Sequence, residues 1–343
     1  MQFKAFIGSN FSEAYARLYL WADRFHEAKA LLTSALERWR TLKNSDDLDT
    51  LYLMQGLGIT HLKLGQLEKA EEFQVVVLNM RRAVLGEDHL DTLIAMSNLA
   101  TIYKQPGQLQ KAQELELVVV EKRRAILGED HPETLDAMYN LAITYMEIGQ
   151  FQKAKELELV VVEKRSTILG EDHPDTLSAM RNLAITYGEL GQLQKAKELE
   201  LMVVEKRRDI LGPDHPNTLS AMRNLAVTYG ELGQFQKAQE LELVVAEKRS
   251  TILGVDHVDT LKAMHNLAVT YRKLSLFEDA QRLETGVMEK SKTSLGNDHP
   301  HTIRSIENLA QTYRALGKVA EAKDLEVLLP HDTEGTLALE ASE

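Results

Sequence analysis

The chain has 343 residues and a formal charge of −12, from 40 Lys and Arg against 52 Asp and Glu. So acidic a chain lacks the net basic surface that general nucleic-acid binding needs, and 44% hydrophobic residues excludes a disordered chain. With no Cys, disulfides, thiolate zinc sites and cysteine nucleophiles are excluded. Residues 1–15 carry no continuous apolar stretch of the signal-peptide kind. No run reaches the roughly 18 apolar residues that suggest a membrane span. The expectation is a soluble, cytoplasmic protein with neither a nucleic-acid nor a membrane partner.

From about residue 43 onward one register governs the sequence. The string Leu-Gly-x-Asp-His starts at Leu85, Leu127, Leu169, Leu211, Leu253 and Leu295, always 42 residues apart. Asn98, Asn140, Asn182, Asn224, Asn266 and Asn308 keep the same step, each followed by Leu-Ala. So do Tyr103, Tyr145, Tyr187, Tyr229, Tyr271 and Tyr313, and the alanines from Ala70 to Ala322. The expected organisation is a partial or capping repeat over 1–42 and seven repeats over 43–329. These start near 43, 85, 127, 169, 211, 253 and 295, and a loose tail follows over 330–343. Upstream, Tyr19 and Ala28 precede His61 and Ala70 by 42 residues.

Residues 127–168 illustrate one repeat. Leu135, Met138, Leu141, Ala142, Tyr145 and Ile148 recur at steps of three and four, a helical period. Gly149 should end this first helix in a left-handed conformation. Asp130 is the expected N-cap, with Pro132 just inside and Glu133 three residues on, as in a capping box. A second helix carries Ala154, Leu157, Val161 and Ile168, and Leu159, Val160 and Val162 widen its apolar surface. One hairpin cannot bury so much, so hairpins should stack on both sides. The fold class is all-α: an α-solenoid of about eight antiparallel helix pairs.

Leu141-Ala142, Tyr145, Gly149 and Ala154 resemble the defining positions of the tetratricopeptide repeat. The 42-residue length and the Leu-Gly-Glu-Asp-His-Pro linker are similar to the kinesin light chain-like subclass, and to near-identical fungal arrays often fused to STAND nucleotide-binding domains. The resemblance covers roughly residues 10–329 and implies a right-handed superhelix. Departures are the eight extra residues per repeat, and Glu in place of an aromatic at Glu116, Glu158, Glu200, Glu242, Glu284 and Glu326. His61 also replaces Tyr, and Ser275 replaces Gly. The heptad region of a complete kinesin light chain is missing, as is the GxxxxGK[ST] string of a nucleotide site.

The resemblance implies that the first-helix stripe containing Asn140 lines a concave groove that holds peptides. Asn98, Asn140, Asn182, Asn224, Asn266 and Asn308 could each hold an extended backbone, with one acceptor and two donors. Alternatively, each bonds to a neighbouring helix. Charge along the stripe is uneven. Lys104, Asp136 and Glu147 leave −1, Arg181 and Arg223 balance Glu189 and Glu231, and Lys262, Arg272, Lys273, Arg304 and Arg314 with Glu307 leave +4. The partner expected at the C-terminal half is therefore an acidic or carboxylate-bearing peptide, held by forked hydrogen bonds from Arg.

His89, His131, His173, His215, His257 and His299 stand one repeat apart, about 10 Å by helix packing. That is too far to share one zinc ion, so a loop-structuring role is expected. No nucleophile keeps a fixed relation to the Asp-His pairs. The six Glu of the repeat sit among Leu and Val, and if buried they need donors, from the Glu-Lys-Arg segment of an adjacent helix or from the Asn ladder. No catalytic residue, metal or cofactor is expected. The reading is a non-enzymatic protein-interaction scaffold. The alternatives are a sensor module of a fungal STAND-type signalling protein and a kinesin light chain-like cargo adaptor. Self-association through the solenoid ends, near Trp21, Phe25 and Trp39, is a further expectation.

Overall fold

A computed structural model describes residues 22, 24–42, 48–105 and 107–329. Trp21, Tyr19 and the tail 330–343 lie outside the described residues, as does the side chain of Trp39. Among the described residues there are fifteen helices and no strand. Helix α1 (Phe25–Leu42) is followed by seven hairpins. These are α2 (Leu48–Lys63) with α3 (Leu67–Leu85), α4 (Leu90–Tyr103) with α5 (Leu109–Leu127), and α6 (Pro132–Glu147) with α7 (Phe151–Leu169). Then come α8 (Pro174–Glu189) with α9 (Leu193–Leu211), and α10 (Pro216–Glu231) with α11 (Phe235–Leu253). The last are α12 (Val258–Lys273) with α13 (Phe277–Leu295), and α14 (Pro300–Ala315) with α15 (Val319–Glu326).

The chain divides after Ile168 into two compact units. In the first, α1 to α6 pack each on the next, and in the second, α8 to α15 do the same. The first helices of neighbouring hairpins also touch, α2 with α4 and α12 with α14. This is the helix-on-helix stacking of an α-solenoid.

The apolar period explains the core. Leu135, Met138, Leu141, Ala142 and Tyr145 of α6 are buried, as are Ala154 and Val161 of α7. The alanines allow close helix approach. The wider second-helix stripe is not covered: Leu159 is 43% exposed, and Ile168, Met202, Leu243 and Val244 are also exposed. Stacking covers the two flanks of each second helix and leaves its outer face to solvent.

Gly149 ends α6 as expected. Its φ is +79°, its N–H reaches the Met146 carbonyl at 2.9 Å, and the Gln150 N–H reaches Tyr145 at 2.8 Å. This is a Schellman closure. Ser275 closes its helix in the same way at a φ of +62°: its N–H reaches the Arg272 carbonyl at 3.0 Å, and the Leu276 N–H reaches Tyr271 at 2.9 Å.

The start of the first helices corrects the capping expectation. The N-cap is His131, not Asp130: His131 is extended, and its Nδ1 accepts from the Glu133 N–H at 3.2 Å. The Glu133 N–H is one of the donors that the first helical turn leaves unpaired, and the imidazole nitrogen satisfies it. The same cap forms at His89, His173, His215, His257 and His299. Asp130 instead reaches Lys164 of α7 at 2.8 Å. Lys206 with Asp172, Lys248 with Asp214, and Lys290 with Asp256 repeat that tie at 2.6–2.8 Å.

Neighbouring hairpins are stapled by arginine. Arg81 Nη1 donates to the Asp91 carbonyl at 2.9 Å, and Arg123 to Glu133 at 2.9 Å. In the second unit, Arg207 donates to Asn217 and Arg249 to Asp259, both at 3.1 Å. Each arginine comes from a second helix, and each acceptor is the second residue of the next first helix. In the last pair the arginine is replaced by Ser291, whose Oγ lies 3.1 Å from His301 Nδ1.

Candidate functional site

The asparagine ladder is not uniform. Asn182 and Asn224 are buried, Asn98, Asn266 and Asn308 are half-buried, and Asn140 is exposed. Asn308 is engaged on both sides: Arg272 Nη2 donates to its Oδ1 at 2.8 Å, and its Nδ2 lies 3.2 Å from the ring of His265. The Asn224 Oδ1 lies 3.5 Å from Arg223, and its buried Nδ2 has no hydrogen-bond partner.

The cations also differ in circumstance. Arg272 is enclosed, with bonds to Asn308, to Gln311 Oε1 at 2.7 Å, and an ion pair with Glu284 at 3.5 Å. Arg314 pairs with Glu326 at 2.7 Å, and Lys262 lies 3.9 Å from Asp259. Lys273 and Arg304 are exposed, and Arg181 and Arg223 are half-buried. Burial, helped by the charges of His301, Arg304 and Arg272, holds the His265 imidazole down at about 4. It is therefore neutral near pH 7 beside Asn308.

The carboxylates Glu116, Glu158, Glu200, Glu242 and Glu284 are buried. Their donors are not those the sequence suggested. The Arg and Lys of the Glu-Lys-Arg segments are spent on the staples and loop ties above. Instead, a threonine of the following hairpin serves: Thr228 for Glu200, Thr270 for Glu242, and Thr312 for Glu284 at 2.5 Å. A cation twelve residues earlier supplies charge where one exists. Lys104 pairs with Glu116 at 3.0 Å, Arg272 with Glu284 and Arg314 with Glu326.

That earlier position is Gly188 in the repeat of Glu200 and Gly230 in the repeat of Glu242. Burial pushes both carboxyls up to about 7, against the pull of the threonine bonds. Between α10, α11 and α12, beside Gly230, lies a cavity of about 340 Å³. Its walls include Val227, Phe235, Asn266 and Lys273, with Glu242 in its lining. Three residues of the expected groove stripe, Glu231, Asn266 and Lys273, thus meet at one concavity. Gly230, Phe235 and Glu242 were not expected there, although the column Lys104, Met146, Gly188, Gly230, Arg272, Arg314 held the signal. The six capping histidines each serve their own helix, and among the described residues no three metal-ligating side chains converge. No helix among the described residues is long and apolar enough to cross a membrane.

Comparison with known proteins agrees with this architecture. No curated protein sequence matches the chain. A Podosopora anserina kinesin light chain-like protein of nearly identical TPR-like repeats is 31% identical, with TM-score 0.54, over 61% of this chain and 98% of that one. The apo quorum sensor NprR from B. thuringiensis is 15% identical, with TM-score 0.73, over 93% of this chain and 86% of that one. A signal transduction ATPase with numerous domains and a tetratricopeptide repeat sensor, from Pyrococcus horikoshii, is 16% identical, with TM-score 0.63. It is covered over 47% of its length by 91% of this chain. The latter two likenesses concern the fold alone. One tetratricopeptide repeat model matches residues 92–133, 134–175, 176–217, 260–301 and 302–327, and another matches 9–83 and 201–244. The chain belongs to the tetratricopeptide repeat family.

Proposed function

We propose that the protein is a non-enzymatic, cytoplasmic scaffold that holds an extended segment of a partner protein against its first helices. The second unit is the part with the chemistry for it. The observation that carries this reading is the run of exposed cations on α12 and α14. Lys262, Lys273, Arg304 and Arg314 stand exposed there beside Asn266 and Asn308. A face of that charge on a chain of net −12 favours acidic segments, because like-signed surface elsewhere turns them toward it. Asn98 and Asn140 offer the equivalent stripe on the first unit, and Asn182 with Arg181 and Asn224 with Arg223 extend it on the second. Arg272 contributes by holding Asn308 in place.

The test is anisotropy of fluorescent acidic and basic peptides of equal length with the full chain. Acidic peptides should bind more tightly, and K262E with R304E should weaken them at least tenfold. Equal affinity of the two peptide classes, or of wild type and variant, would sink this reading. A second reading, a sensor module of a STAND-type protein, is favoured by the fold likeness to the Pyrococcus horikoshii sensor. An in-frame nucleotide-binding module in the flanking genomic sequence would decide for it.

A further inference from the structure

We propose that the cavity beside Gly230 is a binding site for a cationic head group, an ammonium or guanidinium on an aliphatic stem, which pairs with Glu242. This rests on the partner-segment reading above, with a Lys or Arg of the segment as the natural occupant.

The protein itself shows what fits. In three repeats the residue twelve positions before the Glu sends a cation to it: Lys104 to Glu116, Arg272 to Glu284, and Arg314 to Glu326. In the repeat of Glu242 that residue is Gly230. A Cβ built there meets no atom within 4 Å. The room that a Lys or Arg stem would take is left as the 340 Å³ cavity, a volume at the lower end for small-ligand pockets. Glu242 is 6% exposed, and its Oε2 is buried without a hydrogen-bond partner. Thr270 supplies a bond to this carboxyl, so the remaining lone pairs await a donor.

The walls suit such a ligand. Ala226, Val227, Phe235 and Val269 can cover an aliphatic stem. The titratable groups facing it are Glu242, Glu231 and Lys273, so the site carries one net negative charge when both carboxylates are ionised. In the preceding repeat, a space lined by Arg181, Glu200, Val203, Ala221 and Asn224 has no room for a water molecule.

Calorimetric titration of the full chain with n-butylguanidinium, with butyrate as counter-probe, tests the site. Wild type should bind the cation and not the anion. E242Q and G230R should each weaken binding at least tenfold, the first by removing the charge and the second by supplying the missing arm. Binding should be about tenfold tighter near pH 8 than near pH 6, because a carboxyl that titrates near 7 must ionise first. Since E242Q could perturb the fold, G230R carries the control: its thermal midpoint should equal or exceed that of wild type. Undiminished binding to G230R, a preference for butyrate, or a silent wild type would each overturn the site. Probe binding without any acidic-peptide binding would remove the segment reading alone.

Discussion

Arg123 Nη1 donates to the Glu133 carbonyl at 2.9 Å, so a second-helix arginine holds the backbone at the start of the next hairpin. Arg123 is itself buried. Burial pulls its guanidinium below the usual range, with Glu133 and Asp136 opposing. Truncation to R123M should destabilise the first unit by about 1.5–3 kcal/mol, as for a hydrogen bond to a charged group. R123K should recover little, because an ammonium lacks the planar fork. Urea unfolding followed by hydrogen exchange at α6 checks this. An unchanged midpoint for R123M would refute the staple.

Arg272 stands at the junction of Glu284, Asn308 and Gln311. The R272G change recreates what Gly230 does naturally, but in a site already built around an arginine. It should cost about 3 kcal/mol, because a buried carboxylate loses its charge partner. Burial already raises the Glu284 carboxyl, and Arg272 opposes that rise. The carboxyl should therefore climb further in the variant. Carbon-13 titration of labelled Glu284 reads this directly, and no change in its midpoint would contradict the pairing.

Ser275 holds the left-handed conformation that Gly149 holds in its own repeat. A left-handed turn costs an L-residue about 1–2 kcal/mol, and the unfolded freedom of Gly takes back part of that. S275G should therefore stabilise the second unit by about 0.5–1 kcal/mol. A lower thermal midpoint for S275G would refute the expectation.

Glu200 and Glu242 both titrate near 7, against an ordinary 4.5. A carboxyl raised on folding leaves stability intact below the unfolded value and removes it as pH rises through the folded one. These two groups should thus lower stability steadily between about pH 4.5 and 7. The E200Q/E242Q double variant should lose that part of the slope. Thermal midpoints of both proteins across that window provide the measurement, and parallel curves would contradict the raised values.

The hairpins were legible because a 42-residue register repeats every structural signal: apolar spacing, the closing Gly149, and the small Ala142 and Ala154. The cap was misread because propensity ranks Asp above His, whereas the His131 Nδ1 takes the Glu133 N–H and the Asp130 carboxylate turns to Lys164. The donors to Glu242 and Glu284 were illegible locally. Thr270 and Thr312 lie 28 residues downstream of Glu242 and Glu284, and they meet them only when hairpins stack. The exposed Leu159 face misled because an apolar count does not say which side a neighbour takes. Gly230 looks featureless alone, and it acquires meaning only when set against Arg272 in the same column.

The arginine staples end on a backbone oxygen, and the residue that owns it changes from Asp91 to Glu133 to Asn217 to Asp259. A main-chain carbonyl is present whatever side chain sits there. Any hairpin bearing the arginine can therefore dock on any successor, with no matching substitution required. Unequal crossing-over could add, drop or shuffle modules and still leave every seam closed, while specificity drifts independently in the columns that the seams do not use.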